Sequence, residues 1–229
     1  MFFHPMDILI FIALGVSIWA QFRVKGTFTK WSNVPTRTGR SGGEVARRIL
    51  DQNGLGHIPI EVVSGTLSDH YDPIQKVVRL SEAVYYGRSI ASISVAAHEI
   101  GHAIQDKQSY KALVLRHRLF PVANIASGAA PFLFLGGMLL QQLSLIGVGI
   151  LLFSAAVAFQ LITLPVEFNA SSRARKLMLS EGLLYQEEER GVKKVLNAAA
   201  LTYVAAALIS LFELLKFVMI FFQGSREEE

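Results

Sequence analysis

Four long apolar stretches constrain the fold of this 229-residue chain more than any other feature. They cover residues 5–22, 120–140, 143–164 and 198–222. A helix needs about 17–25 mostly apolar residues to cross a bilayer, so the last three are long enough and the first is marginal. The chain is also 52% hydrophobic, which is unusually high for a soluble domain. We therefore predict an integral membrane protein with about four transmembrane helices.

The distribution of positive charge predicts the orientation of these helices. Of the 22 lysines and arginines, 20 lie within residues 23–118 and 173–194, which four spans would place on the same side. Because cytoplasmic loops are enriched in Lys and Arg, we expect both segments in the cytoplasm and both termini outside. No Lys or Arg precedes the first apolar stretch, so we expect it to be a retained anchor rather than a cleaved signal peptide.

The segment after the first span has the pattern of a small α+β domain. Ser41 and Glu44 form a capping box for a helix, and a second helix begins near Ser89, where apolar residues recur at helical spacing. Short β-branched runs predict two strands. The predicted elements are a loop at 26–43, a helix at 42–53, strands at 58–63 and 75–80 joined by turns at 64–73, and the helix from Ser89.

The second of these helices carries the sequence His98-Glu99-Ile100-Gly101-His102, an HExxH motif. Residues four apart lie about one turn apart, so both imidazoles can share one zinc ion. Glu99 lies about 100° around the helix from His98, where its carboxylate can accept a proton from the attacking water. The chain has no cysteine, so any metal must be bound by His, Asp or Glu. We therefore predict a Zn²⁺ site with Glu99 as the catalytic base.

A catalytic zinc usually has three protein ligands, and several residues are candidates for the third. The metzincin pattern would need a glycine at position 105 and a histidine at position 108, but this chain has glutamine at both. Asp106 lies on the same helix as both histidines, and three side chains stacked along one straight helix converge poorly on a single metal ion. Glu213 lies within the last predicted span, roughly 22 Å of helical rise away from the cytoplasmic side on which the histidines are expected. Glu167 is better placed, because it follows the third span directly and begins a helix with small residues that permit close packing.

Five segments of the chain form a specific combination: RTG (37–39), LSDHYDP (67–73), AAHEIGHAIQ (96–105), LPVEFNASSRA (164–174) and LNAAALTYVAAAL (196–208). They resemble segments of the bacterial YugP-type membrane zinc metallopeptidases. The resemblance implies that His98, His102 and Glu167 bind zinc and that Glu99 is the base. More distantly, the chain resembles the HtpX and CAAX-protease gluzincins, which have an aspartate where this chain has Ser171. This implies a gluzincin-like α+β catalytic domain.

Other polar residues are weaker candidates. His70 and Tyr71 precede the second strand and are candidates for substrate binding or oxyanion stabilisation, although an Asp-Pro turn capped by its own side chains fits them equally. Tyr203 is a further oxyanion candidate, but an interfacial tyrosine is the simpler interpretation. Glu213 and Lys216, spaced i and i+3 in the last span, should face the helix bundle and pair with each other, and a substrate or ion pathway is the alternative.

Together these features predict a mostly helical α+β membrane protein in the bacterial inner membrane. We expect a zinc endopeptidase that cleaves membrane or membrane-proximal proteins at the cytoplasmic face, for example in quality control. Its partners would be a protein or peptide substrate and the bilayer, not nucleic acid. The alternative is a non-catalytic zinc-containing chaperone or adaptor. The expected regions are an anchor (1–22), a peptidase domain (23–119), a transmembrane hairpin (120–165), a cytoplasmic segment with the third ligand (166–197), and a last span with an acidic tail (198–229).

Overall fold

The computed structural model describes residues 4–227, and helices dominate it. Within these residues the helices are α1 (Met6–Ser32), α2 (Gly42–Gln52), α3 (Glu82–Tyr85), α4 (Ile90–Lys107), α5 (Lys111–Leu139), α6 (Leu143–Ser180) and α7 (Glu189–Glu227). A single 3₁₀ turn (Gln186–Glu188) precedes α7. The strands are β1 (Ile60–Val63), β2 (His70–Asp72) and β3 (Val77–Ser81).

Four helices in residues 4–227 are long and apolar enough to cross a membrane, namely α1, α5, α6 and α7 with the turn before it. Large apolar side chains on them are exposed; Phe132 of α5 is 77% exposed and Leu151 of α6 is 73% exposed. Extensive exposed apolar surface is what lipid-facing helices present. The prediction of a mostly helical α+β membrane protein with about four transmembrane helices is confirmed.

The chain divides into two compact units, of which the first comprises Met1–Trp19, Lys111–Pro165 and Leu201–Glu229. Aromatic stacking holds its centre together. The ring of Phe134 stacks on that of Phe217, with centroids 3.5 Å apart and planes 8° apart, and Phe153 meets Phe134 edge-on. Such pairs add to the stabilisation from burying their apolar area.

Lys216 in this unit does not have the predicted partner. Its Nζ lies 2.5 Å from Oδ1 of Asp7, so the ion pair joins α7 to the start of α1. The predicted pairing with Glu213 is therefore wrong. Glu213 and Lys216, at i and i+3 on one helix, are neighbours on its surface. Asp7, which is 209 positions away in sequence, nevertheless makes the direct contact with Lys216.

The second unit comprises Ala20–Tyr110 and Val166–Ala200 and contains the small sheet. The strand order is β1-β3-β2, with β1 parallel and β2 antiparallel to β3. Helix α2 begins with the predicted capping box: the Ser41 hydroxyl accepts from the Glu44 N–H at 3.2 Å, and the Glu44 carboxylate accepts from the Ser41 N–H at 2.6 Å. The buried core of this unit includes Val45, Ile49, Leu50, Val78, Leu80, Ile93 and Ile100.

Two predictions about connecting segments are wrong. The loop expected at 26–43 is helical as far as Ser32, because Phe28 and Trp31 pack against the core of the second unit. Such tertiary packing outweighs the weak helix propensity of a Gly/Thr-rich segment. The turns expected at 64–73 contain β2, whose position depends on pairing with β3.

Helix α6 also differs from the prediction. The sequence suggested that the third span ends before Pro165 and that a separate helix begins near Glu167. Instead α6 is continuous from Leu143 to Ser180, with Pro165 inside it. Proline removes one backbone hydrogen bond, and membrane helices tolerate this loss where neighbouring groups compensate for it.

Candidate metal centre

The HExxH motif lies on α4, as predicted. The Ser89 hydroxyl accepts from the Ser92 N–H at 3.2 Å and caps the helix at its first turn. The apolar residues of the helix are almost completely buried, including Ile93, Ala97, Ile100 and Ile104. This burial fixes the rotation of α4, so the two histidines of the motif have one defined direction.

The structure brings His98, His102 and Glu167 together. Oε2 of Glu167 lies 3.2 Å from Nε2 of His98 and 3.5 Å from Nε2 of His102. The two imidazole rings have centroids 4.8 Å apart and are nearly perpendicular, at 87°. One ligand atom from each of the three residues lies within 4.8 Å of the others. Three potential ligand atoms thus converge from two different helices.

The chemistry of this cluster fits a catalytic zinc site. Two imidazole nitrogens and one glutamate oxygen form a donor set found in zinc peptidases, and three protein ligands leave a position for water or substrate. Glu167 is only 3% exposed. A buried carboxylate is costly unless it is paired or coordinates a metal, so the cluster has a strong electrostatic preference for a cation.

His102 shows the same preference. Burial lowers the pKa of its imidazole, but the Glu167 and Glu99 carboxylates oppose burial strongly enough to place the pKa above its ordinary value. The negative charges around this ring therefore favour positive charge at the site, which a bound zinc ion would supply.

A glycine makes the convergence of the two helices possible. A Cβ atom on Gly101 would lie 2.7 Å from the carbonyl oxygen of Ala170, which is closer than real Cβ contacts occur. Ala170 and Ala174 are completely buried. The small residues expected around Glu167 thus lie where α4 and α6 come closest together. Larger side chains there would separate the histidines from Glu167.

Each histidine has a neutral hydrogen-bonding partner on its other ring nitrogen. The Ser171 hydroxyl lies 3.1 Å from Nδ1 of His98. The Gln105 amide oxygen lies 3.0 Å from Nδ1 of His102. Partners of this kind fix ring orientation in metal sites. By its sequence pattern, Gln105 is only a departure from the metzincin motif. The signal that could have revealed its role is a polar residue at i+3 from His102 within an otherwise buried helix.

Glu99 lies beside the edge strand β2. Its carboxylate is nearly buried, and Oε2 accepts the backbone N–H of Tyr71 at 3.1 Å. The Tyr71 hydroxyl donates to Asp106 at 2.6 Å, and Lys76 forms an ion pair with the same carboxylate. Burial, and then the hydrogen bond to Asp106, raise the pKa of the Tyr71 phenol. Asp106 therefore contacts the edge strand and does not join the metal cluster.

The remaining candidates are not members of the three-residue cluster. His70 is exposed at the start of β2, with Nδ1 2.8 Å from the carbonyl oxygen of Ser68. Tyr203 and Glu213 lie in the α7 segment that belongs to the first unit, whereas the three clustered residues all belong to the second. Their predicted roles stay predictions.

Four membrane-length helices and a two-histidine, one-glutamate cluster on an HExxH helix are together typical of a membrane zinc metallopeptidase. A family model described as "Putative neutral zinc metallopeptidase" matches residues 6–222, and the chain belongs to this family. The chain is also 69% identical over 215 residues to "Putative membrane protease YugP" of Bacillus subtilis (strain 168), a match that covers 94% of this chain and 96% of that protein. No solved structure matches the chain. The resemblance to the YugP-type membrane zinc metallopeptidases is confirmed.

Proposed function

We propose that this protein is a zinc-dependent endopeptidase in which His98, His102 and Glu167 hold the metal and Glu99 is the general base. One observation carries the proposal: the three potential ligand atoms lie within 4.8 Å of one another, and two of them come from α4, the helix that also carries Glu99. A bound zinc ion would polarise the scissile carbonyl group and lower the pKa of the attacking water.

Glu99 has the surroundings that a general base requires. It would accept the proton of the attacking water and pass it to the leaving amine. The Tyr71 N–H holds one of its carboxylate oxygens, which limits the rotation of the side chain. General bases act efficiently only when held within hydrogen-bonding reach of the proton that they accept.

Strand β2 is the proposed binding site for the substrate backbone. It lies at the end of the strand order β1-β3-β2, so one of its edges has no neighbouring strand within residues 4–227. Extended peptides bind such edges through backbone hydrogen bonds. His70 at the start of β2 would contact substrate side chains, and Tyr71 or Tyr203 would stabilise the oxyanion.

The proposed substrates are membrane or membrane-proximal proteins, cleaved at the cytoplasmic face of the inner membrane, with protein quality control as one use. The concentration of Lys and Arg in residues 23–118 and 173–194 supports this orientation. In this arrangement residues 1–22 are the anchor, 23–119 the peptidase domain and 120–165 the hairpin. Residues 166–197 supply the third ligand, and 198–229 form the last span and tail.

The test uses the purified full-length protein in detergent with an unfolded membrane protein as substrate. We expect cleavage that stops when a chelator removes zinc and returns when zinc is added. Glu99→Gln should keep about one zinc per chain and lose roughly 10²–10⁴-fold in cleavage rate, the usual contribution of a general base. Zinc binding without any cleavage by the wild-type protein would instead indicate the chaperone or adaptor function. Wild-type activity of Glu99→Gln would contradict the proposed mechanism.

The same variant can identify the substrate. An enzyme that binds zinc and substrate but lacks its base should retain the uncleaved protein. Proteins that copurify with full-length Glu99→Gln, but not with His98→Ala, are candidate substrates for identification by mass spectrometry.

A further inference from the structure

We propose that Gln105 is a positioning residue that sets the protonation pattern of His102 and links this ligand to the helix carrying Glu167. The inference rests on the proposed function, because it concerns how the metal ligands are held. Gln105 lies on α4, three residues after His102, and is completely buried. A buried amide must have its hydrogen bonds satisfied within the protein, so its partners are a constraint on the surrounding structure.

The side-chain amide of Gln105 has a hydrogen-bonding partner for each of its groups. Its oxygen lies 3.0 Å from Nδ1 of His102. Its nitrogen donates to the backbone carbonyl of Val166 at 2.8 Å and to the side-chain oxygen of Asn169 at 3.0 Å. An amide has two N–H donors and one acceptor oxygen, and all three are used here.

This arrangement determines which nitrogen of His102 carries hydrogen. A backbone carbonyl can only accept, so the amide nitrogen of Gln105 must face Val166. The amide oxygen must then face His102, and Nδ1 of that ring must be the donor. In the neutral imidazole, Nε2 consequently has the free lone pair. Nε2 lies 3.5 Å from Oε2 of Glu167 and therefore faces the cluster. Through its hydrogen bond to Nδ1, Gln105 thus leaves Nε2 free to bind the metal.

The same amide ties two of the metal ligands together. Val166 and Asn169 lie immediately before and two residues after Glu167 on α6. Gln105 therefore joins His102 to the backbone adjacent to the third ligand. Asn169 is held in turn by Arg173, whose Nε donates to the same amide oxygen at 2.6 Å. A hydrogen-bonded network of this kind around a buried amide rigidifies its members.

Gln108 provides a matched control. It follows the last residue of α4 and is exposed, and its amide oxygen accepts from Arg173 of α6 at 2.6 Å. It thus joins the end of α4 to α6, but through Arg173 and not through a histidine. Replacing either glutamine by methionine keeps a similar volume and removes the amide.

The experiment compares full-length Gln105→Met and Gln108→Met in detergent. Zinc affinity is measured by competition with a chromogenic chelator, and the visible spectrum of the Co²⁺-loaded protein reports the ligand geometry. We expect Gln105→Met to bind zinc roughly 10–100-fold more weakly, the usual effect of removing a group that orients a ligand, and to change the cobalt spectrum. Gln108→Met should match the wild type in both measurements.

A third variant separates orientation of His102 from simple attachment of the helices. Gln105→Glu retains an oxygen that accepts from Nδ1 but places a second oxygen against the carbonyl of Val166. If Gln105 orients His102, Gln105→Glu should bind zinc more tightly than Gln105→Met. If it only attaches the helices, Gln105→Glu should be at least as weak as Gln105→Met, which would overturn the proposal. Should Gln105→Met fail to fold, Gln105→Glu is compared with Gln108→Met, and loss of zinc by Gln105→Glu would be the contrary result.

The wild-type protein and His98→Ala distinguish the two proposals. If the wild-type chain binds no zinc, or if His98→Ala binds it equally well, the proposed metal site and the role of Gln105 both fail. If His98→Ala loses zinc while Gln105→Met retains wild-type affinity and spectrum, only the role of Gln105 fails.

Discussion

The hydroxyl of Ser171 lies 3.1 Å from Nδ1 of His98. A hydroxyl can accept the Nδ1 hydrogen as a carboxylate does, but it carries no charge. Gln105 is likewise a neutral partner for His102. Both proposed histidine ligands thus have uncharged partners, which make an imidazole a weaker metal ligand than a carboxylate partner would.

The first prediction concerns this serine. Ser171→Ala should lower zinc affinity by about tenfold, because it removes the partner that orients His98. Ser171→Asp should raise affinity above the wild-type value. Chelator competition measures both changes, and Ser172→Ala, one residue along the same helix, is the control. Equal affinities for Ser171→Ala and Ser172→Ala would mean that the hydroxyl does not orient the histidine.

The second prediction separates Glu167 from Asp106. Glu167→Ala should lose zinc, because it removes one of the three converging groups. Asp106→Asn should retain zinc, since Asp106 contacts Tyr71 and Lys76 rather than the cluster. Metal content after dialysis against a weak chelator measures the difference. Retention of zinc by Glu167→Ala together with its loss from Asp106→Asn would reverse the ligand assignment.

The third prediction concerns the close approach of α4 and α6. Gly101→Ala places a methyl group 2.7 Å from the Ala170 carbonyl oxygen, so the helices must move apart. We expect a loss of about 1–3 kcal/mol in stability, typical of overpacking, together with weaker zinc binding. Thermal unfolding and chelator competition measure these effects. Gly26→Ala is the control, because a Cβ at Gly26 meets no atom within 4 Å. Identical behaviour of the two variants would contradict the packing argument.

The fourth prediction is a pH dependence. Burial and Asp106 raise the pKa of the Tyr71 phenol, so the folded state favours its neutral form. The resulting stabilisation is fully present below the unfolded-state pKa of about 10 and declines as the pH rises above it. Tyr71→Phe cannot ionise, so its stability should fall less steeply on the alkaline side. Thermal unfolding across this range measures the slope, with the exposed Tyr86→Phe as control. A slope unchanged by Tyr71→Phe would count against this coupling.

The fifth prediction is topological. Single cysteines at Ser32, Ser144 and Ser225 can be probed with a membrane-impermeant thiol reagent, because the chain has no native cysteine. In intact cells, we expect labelling at positions 144 and 225 and protection at 32, as the distribution of Lys and Arg requires. Labelling confined to position 32 would reverse the orientation.

The sequence by itself determined the features that depend on local composition and period. Long apolar runs predicted membrane-length helices, and the capping box of Ser41 and Glu44 predicted where α2 begins. The HExxH spacing put two histidines one turn apart on a helix. These features need only the 3.6-residue period, hydrophobicity and side-chain capping, all of which act between residues that are close in sequence.

Only the tertiary structure decided which distant residues meet. β2 exists because it pairs with β3, and Lys216 lies beside Asp7 rather than Glu213. Gln105 meets Val166 across 61 positions of sequence, and Ser171 meets His98 across 73. Such contacts depend on the rotation and register of two packed helices. Those are set by the whole buried interface, and no short segment encodes them.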